Sequence, residues 1–372
     1  MDFSLTETQR AVRQTFKDFA EREVRPVAAD LDRNPRFPTD LFARLGHLGF
    51  FGMRYPEPLG GGADIFAYLL AVEELARASL SVAAVATMQS LMGTYFLHRF
   101  GDERLKRRVL APALAGDLVA TICMTEPNAG SDLLAMTTKA AERDGTWHLD
   151  GQKTWITSAP VADVFTVLAR TGDKELSVFL VERGAPGLSV GRAIEKMGVR
   201  AALTSEVFLD SAPASCMLGP RGAGTEGLRE VLAEIRLVTA TLALGAGQAA
   251  FDDSLAYAKQ RMQFGKPIAS IGAIQAHLAE MATRLAAARQ LINWAAWRSH
   301  QGEENADQAA MAKLFASEVA TEVCDRAARI MASYGYASEY PIERYLRDVR
   351  FTLIGGGTSE VLAINIARGL TR

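Results

Sequence analysis

The feature that most restricts the fold is a change of texture between about Leu118 and Leu218. Short β-rich runs crowd there: Val119–Met124, Thr146–Leu149, Val164–Ala169, Ser177–Val181 and Glu206–Leu209. Turn signals separate them, and Asp144-Gly145 and Asp150-Gly151 are hairpin-type dipeptides. The spacing leaves no room for helices between strands. It predicts an antiparallel barrel or sandwich.

Helical periodicity flanks this block on both sides. Before it, Thr6 and Gln9 have capping-box spacing, and Val12, Phe16, Phe19 and Ala20 share one face. Pro38 suits the first turn of a second helix whose apolar stripe is Leu41, Phe42 and Leu45. A long alanine-rich helix is expected over Ile65–Ala78, after the punctuation at 56–62. Beyond the block, candidate helices cover 225–260, 272–300, 306–334, 341–350 and 359–369. Four substantial helices suit a bundle. The expected architecture is α+β, multi-domain and mostly α. A helical domain spans 1–117, a β-domain 118–222 and a four-helix bundle 223–372.

The chain has 372 residues, 49% of them hydrophobic, which is enough for two or three cored domains. A net charge of -2 leaves no electrostatic footprint for nucleic acid and no basic run for an anionic membrane. Cys123, Cys216 and Cys324 are odd in number and far apart, which argues for a reducing compartment. No apolar signal core opens the chain, and the apolar tracts read as too short for a membrane span. A soluble, cytoplasmic protein is expected.

Common motifs fail their tests. Gly245-Ala-Gly-Gln-Ala-Ala250 matches a dinucleotide fingerprint, yet no acidic residue stands near Gly265–Ile271 to hold a ribose. Close helix packing explains those small residues better. Five scattered histidines form no metal pattern, and neither a nucleophile elbow nor a phosphate-loop lysine is present.

Three segments together change the reading. They are Cys123-Met-Thr-Glu-Pro-Asn-Ala-Gly-Ser-Asp132 with Lys153-Thr-Trp-Ile-Thr157, then Tyr257–Pro267, then Tyr334-Gly-Tyr with Glu339–Asp348 and Gly357-Thr-Ser-Glu360. In that order, over nearly the whole chain, they resemble the acyl-CoA dehydrogenase family. The resemblance implies FAD as cofactor. Thr125 and the Met124 backbone would meet the flavin's pyrimidine edge, Ser131 the pyrophosphate, Trp155 one flavin face, and Thr157 the N5 side. Arg261, Gln263 and Phe264 match residues that reach a neighbouring subunit's FAD, so a homodimer or homotetramer is implied. Thr358 and Glu360 match positions near the cofactor's far half. Arg329 and Ser333 depart from the family's usual Gln and Gly at the adenine side.

The resemblance also exposes a gap. The family's usual glutamate base aligns with Gly356, and the alternative base position aligns with Ile235, just before Arg236. Glu234 is one residue away, about 100° around a helix, and should point elsewhere. The Gly356 amide keeps the ability to donate to a thioester oxygen, and Arg236 to order the pocket. Three readings follow. One is oxidation of a hydroxyacyl or glyceryl thioester on CoA or an acyl carrier protein, as in polyketide extender assembly. The second is ordinary α,β-dehydrogenation with a displaced base. The third is a flavin-binding subunit without chemistry. The electron acceptor would be an electron-transfer flavoprotein or dioxygen.

Overall fold

The computed structural model describes residues 4–173 and 175–371. Helix α1 (Glu7–Phe19) begins as its sequence predicts: the Thr6 hydroxyl accepts from the Gln9 amide, and the Gln9 side chain accepts from the Thr6 amide. A π-helical turn leads into α2 (Arg25–Arg33). Pro38 sits at the cap of α3 (Thr39–His47), one position outside the first turn where it was expected. Helix α4 (Ile65–Ala78) is capped by Asp64. Then come α5 (Leu80–Thr87), α6 (Tyr95–Phe100), α7 (Glu103–Leu105) and α8 (Ala111–Ala115). The stretch Leu80–Phe100 is long and apolar enough to cross a membrane, which corrects the expectation of uniformly short tracts. Its most apolar window is 89% buried inside the protein, so it serves as core.

The middle of the chain forms one eight-stranded sheet. Its strands are β1 (Ala120–Cys123), β2 (Lys139–Arg143), β3 (Thr146–Thr157), β4 (Val164–Gly172), β5 (Glu175–Glu182), β6 (Leu188–Val190), β7 (Thr204–Pro213) and β8 (Cys216–Leu218). The order is β6-β7-β3-β2-β4-β5-β8, with β1 also on β4. Most pairs are antiparallel, but β1 and β2 both meet β4 in parallel, so the sheet is mixed. Leu149, Phe165, Val167, Phe179 and Val207 fill a core of its own. Asp144 and Gly145 join β2 to β3 with φ of 51° and 76°, as a two-residue hairpin turn requires. Asp150-Gly151 is not a turn. It lies inside β3 at a register shift against β7, where a Cβ on Gly151 would stand 2.5 Å from Thr138 Oγ1. The glycine marks a close backbone approach.

The C-terminal part contains α9 (Gly224–Gln260), a ribbon of β9 (Met262–Gln263) and β10 (Lys266–Pro267), α10 (Gly272–His300), α11 (Ala306–Met331), α12 (Pro341–Val349) and α13 (Ser359–Leu370). Helix α11 stops three residues before the expected 334, because Ala332 turns to a φ of 52°. The small residues of α9 are packing residues. A Cβ on Gly245 would meet the Ala76 Cβ at 2.7 Å, and one on Gly247 would meet the Ala320 Cα at 3.2 Å. Helix α9 therefore runs between α4 and α11 as the axis of the molecule.

One node touches all three parts of the chain. Arg347 of α12 grips Asp32 of α2 through two nitrogens, at 3.0 and 2.6 Å, and donates to the Met197 carbonyl at 3.0 Å. Its neighbour Asp348 accepts from the Val199 amide at 2.6 Å. Burial pushes the Asp348 carboxyl up to about 6, with Asp32 adding to the rise and the Val199 amide, Arg344 and Arg347 opposing it. A folded-state value above the unfolded 3.8 gives stability that is full below 3.8 and is lost as pH rises through about 6. Asp348→Asn keeps an acceptor oxygen and removes the titration. Its melting temperature should pull ahead of wild type between about pH 4 and pH 6.5. The gain should approach about 3 kcal/mol, at 1.36 kcal/mol per pH unit. A pH-independent gap in thermal melts would refute the assignment.

Candidate active site

Below the loop after β1, a buried ion pair sets the geometry. Lys153 and Glu126 meet at 2.9 Å with side chains 0% and 3% exposed. Lys153 Nζ also donates to the Met124 carbonyl at 3.2 Å. The Glu126 carboxylate accepts from the amides of Thr137 and Thr138 and from the Thr137 hydroxyl. Burial alone would raise its carboxyl, but these donors and Lys153 hold it down to about 2. Thr125 is fixed in turn, its carbonyl accepting from the Thr154 amide at 2.9 Å. Lys153 was quoted in a motif but given no role from sequence, and Glu126 likewise. No local signal marks them, since Lys153 stands between the polar Gln152 and Thr154.

On β3 the register slips again between Lys153 and Ile156, and Trp155 has a φ of 58°. The irregularity turns the indole outward, 57% exposed beside a buried Thr154. Thr157 is held by its carbonyl, which accepts from the Thr121 hydroxyl at 2.6 Å. Ser131 is exposed, and a Cβ on the adjacent Gly130 would meet nothing within 4 Å. The Thr125 hydroxyl has no partner among the described residues. An uncovered indole, a free hydroxyl and open space over a glycine loop are what an isoalloxazine with its pyrophosphate tail would use. The residues fit FAD.

The second group surrounds Gly356. This residue has a φ of 75°, and its Cβ direction faces Thr239 Oγ1 at 3.2 Å and Ile235 Cγ2 at 3.5 Å. Neither neighbour ionises near neutrality. The Thr239 hydroxyl donates to the Ile235 carbonyl at 2.7 Å. Glu234 forms an ion pair with Arg54. Lys313, which sequence reasoning missed, is fully buried and donates to the Gly357 carbonyl at 2.6 Å. Burial pushes its ammonium down to about 8, with Glu318 opposing and Arg236 adding. Burial also lowers the Arg236 guanidinium, with Asp307 opposing. Thr358 caps α13, its hydroxyl accepting from the Val361 amide, and Glu360 is exposed in the first turn.

The third group stands clear of the other two. Gln263 pairs with Lys266 in the β9–β10 ribbon, whose turn is Phe264-Gly265. Phe264 is 89% exposed, and Arg261 lies over the Tyr334 ring at 5.9 Å. Arg329 is exposed beside Asp325 at 3.8 Å, and Ser333 is exposed in the turn after α11.

Three family models match the chain: Acyl-CoA dehydrogenase, N-terminal domain over 6–117, middle domain over 121–212 and C-terminal domain over 222–371. A protein of Aromatoleum aromaticum named benzylmalonyl-CoA dehydrogenase is 54% identical, with 99% of each chain covered. A Clostridium sporogenes protein named 3-(aryl)acrylate reductase is 39% identical, again over 99% of each chain. Among solved structures, butyryl-CoA dehydrogenase from Megasphaera elsdenii superposes with a TM-score of 0.97 at 34% identity, with 100% of both chains covered.

Proposed function

The chain is a member of the acyl-CoA dehydrogenase family, and from that premise we propose that it oxidises a malonyl-type CoA thioester between its α and β carbons with loss of carbon dioxide. Such oxidation needs an electron pair at the α-carbon. A base usually provides it by removing a proton. The observation that carries the proposal is the non-ionisable surround of Gly356, Thr239 and Ile235, in a chain 54% identical to a dehydrogenase named for a malonyl thioester. A malonyl thioester bears a carboxylate on its α-carbon. Breaking that carbon–carbon bond leaves the pair in place. The pair becomes the new π bond as a hydride leaves the β-carbon, so charge balances with no proton removed. For a benzylmalonyl thioester the product is a 3-phenylacryloyl thioester, the skeleton in the second relative's name.

When bound, FAD supplies the acceptor for that hydride. Thr125 and the Met124 backbone hold its pyrimidine edge, Trp155 covers a face, Thr157 lies on the N5 side, and Ser131 meets the pyrophosphate. Thr358 and Glu360 border its far half. Arg261, Gln263 and Phe264 reach the cofactor of a second subunit in a homodimer or homotetramer, with Arg329 and Ser333 on the adenine side. The amide of Gly356 donates to the thioester oxygen, where charge collects once the carboxyl carbon departs. An electron-transfer flavoprotein takes the electrons onward.

The test is anaerobic mixing of the holoenzyme with benzylmalonyl-CoA, 3-phenylpropionyl-CoA and a hydroxyacyl carrier-protein thioester. Flavin bleaching and released carbon dioxide are recorded together. The malonyl thioester should bleach the flavin with stoichiometric carbon dioxide, and the other two should not. Equal bleaching by 3-phenylpropionyl-CoA would mean a displaced base. Bleaching by the hydroxyacyl carrier alone would restore that substrate class, and bleaching by nothing would leave a flavin-binding subunit.

A further inference from the structure

Four buried arginine Nε atoms among the described residues lack a hydrogen bond: those of Arg77, Arg236, Arg284 and Arg344. Three have other company. Arg77 is ion-paired with Asp252, and Arg284 with Glu322. Arg344 lies over the Tyr345 ring at 5.4 Å and next to Asp348. Arg236 has neither an ion pair nor a ring. Asp307 acts on it only at a distance, with its carboxylate turned toward Gly369. Elsewhere the protein pairs such groups tightly: Arg289 holds Glu73 through two nitrogens at 2.5 and 2.7 Å.

The position of the unpaired guanidinium is informative. Ile235 and Thr239 are one turn apart on α9, and their shared face lies against Gly356. Arg236 is three residues before Thr239, about 60° from it around the helix, so it flanks that face. Its charge is felt by Lys313, whose ammonium is committed to the Gly357 carbonyl. Lys313 thus borders the Gly357 backbone while Arg236 flanks the facing helix, and the carboxylates of Glu318, Glu360 and Asp307 act on these cations without pairing with either. Arg236 is half-buried, and a guanidinium whose Nε is shut away from water without a partner is costly unless a ligand completes it.

We infer that Arg236 is the binding residue for the substrate's α-carboxylate, making the space beside Gly356 a subsite for malonyl-type thioesters. This rests on the reaction proposed above and names the contact that would select its substrate. The guanidinium fork matches a carboxylate, and its pairing with one distinguishes an acid thioester from its decarboxylated counterpart. Lys313 serves by pinning the Gly357 carbonyl, which keeps a competing acceptor away from Arg236.

The experiment measures binding apart from turnover. Malonyl-CoA carries the α-carboxylate but has no β-carbon, so it cannot give up a hydride. Acetyl-CoA is the same thioester without the acid. Equilibrium dialysis of both against the holoenzyme should show malonyl-CoA bound about tenfold or more tightly, as a charge-assisted pair predicts. R236Q should erase that preference while leaving acetyl-CoA affinity in place. R236K, which keeps the charge and loses the fork, should retain part of it and decides the case if R236Q does not fold. No malonyl preference in wild type, a preference unchanged in either variant, or an equal loss for both ligands would overturn the assignment. Carbon dioxide released from benzylmalonyl-CoA by the wild type is scored separately. If it appears while R236Q keeps the preference, the subsite fails and the reaction stands. If it does not appear although R236Q erases the preference, the reaction fails and the subsite stands.

Discussion

A Gly356→Glu variant will acquire α,β-dehydrogenation of 3-phenylpropionyl-CoA and lose oxidation of benzylmalonyl-CoA. The new carboxylate would occupy the space assigned to the substrate's own acid, next to Arg236 and Lys313, which favour its ionised form. A positioned base contributes about 10²–10⁴-fold to such a proton abstraction, so the gain should stand well above the wild-type background. The fold resists the change in two ways. At a φ of 75° an L side chain costs roughly 1–2 kcal/mol. Its Cβ would also stand 3.2 Å from the Thr239 hydroxyl, a tight contact. Adding Thr239→Ala removes that contact and should raise the new activity further. Anaerobic bleaching rates with the two thioesters give the answer. A double variant that holds FAD, keeps its malonyl activity and leaves the propionyl thioester untouched would show that Gly356 does not face the α-carbon.

The second large effect is expected at Lys153. Lys153→Met should destabilise the protein by about 3–5 kcal/mol, because it strands the Glu126 carboxylate in a buried site. FAD should be lost with it, since Lys153 holds both Glu126 and the Met124 carbonyl at the base of the flavin loop. Combining it with Glu126→Gln should recover much of the stability, as the amide oxygen can still accept from Thr137 and Thr138. The same pair predicts an acid limit. The Glu126 carboxyl is held below its unfolded value of 4.5, so its stabilisation is present above 4.5 and drains away as pH falls toward about 2. Thermal melts and flavin fluorescence against pH, for the single and double variants, read both effects. A single variant as stable as the wild type would mean the charges do not depend on each other.

Much of the fold was legible in local pattern. The Thr6–Gln9 cap, the helix Ile65–Ala78 and the helix 272–300 follow from periodicity and punctuation, which act within a turn or two of the chain. Where one glycine served a distant contact, local reading failed. Asp150-Gly151 looks like a turn because the dipeptide usually is one, yet Thr138, just before β2, presses on that backbone. The parallel contacts of β1 and β2 with β4 are likewise invisible in alternation, which reports faces and not neighbours. At the site, the family resemblance singled out Thr125, Trp155 and Gly356. It passed over Glu126 and Lys153 as partners, and over Thr239 and Lys313. Those pairings span 27 to 117 residues of sequence and arise only when strands and helices are stacked.

The node at Arg347 and Asp348 carries a consequence for how the molecule is made. Its partners, Asp32 and Val199, precede it by 315 and 149 residues. The leading helices and the sheet are thus synthesised long before this clasp leaves the ribosome. Contacts so far apart in sequence form last. A nascent chain halted before Pro341 can join its leading helices to the sheet through Gln89 and the Arg108–Glu182 pair, but it lacks the Arg347 grip on Asp32 and Met197. Until Pro341–Val349 has been made, the growing chain meets the cell's quality control without that grip.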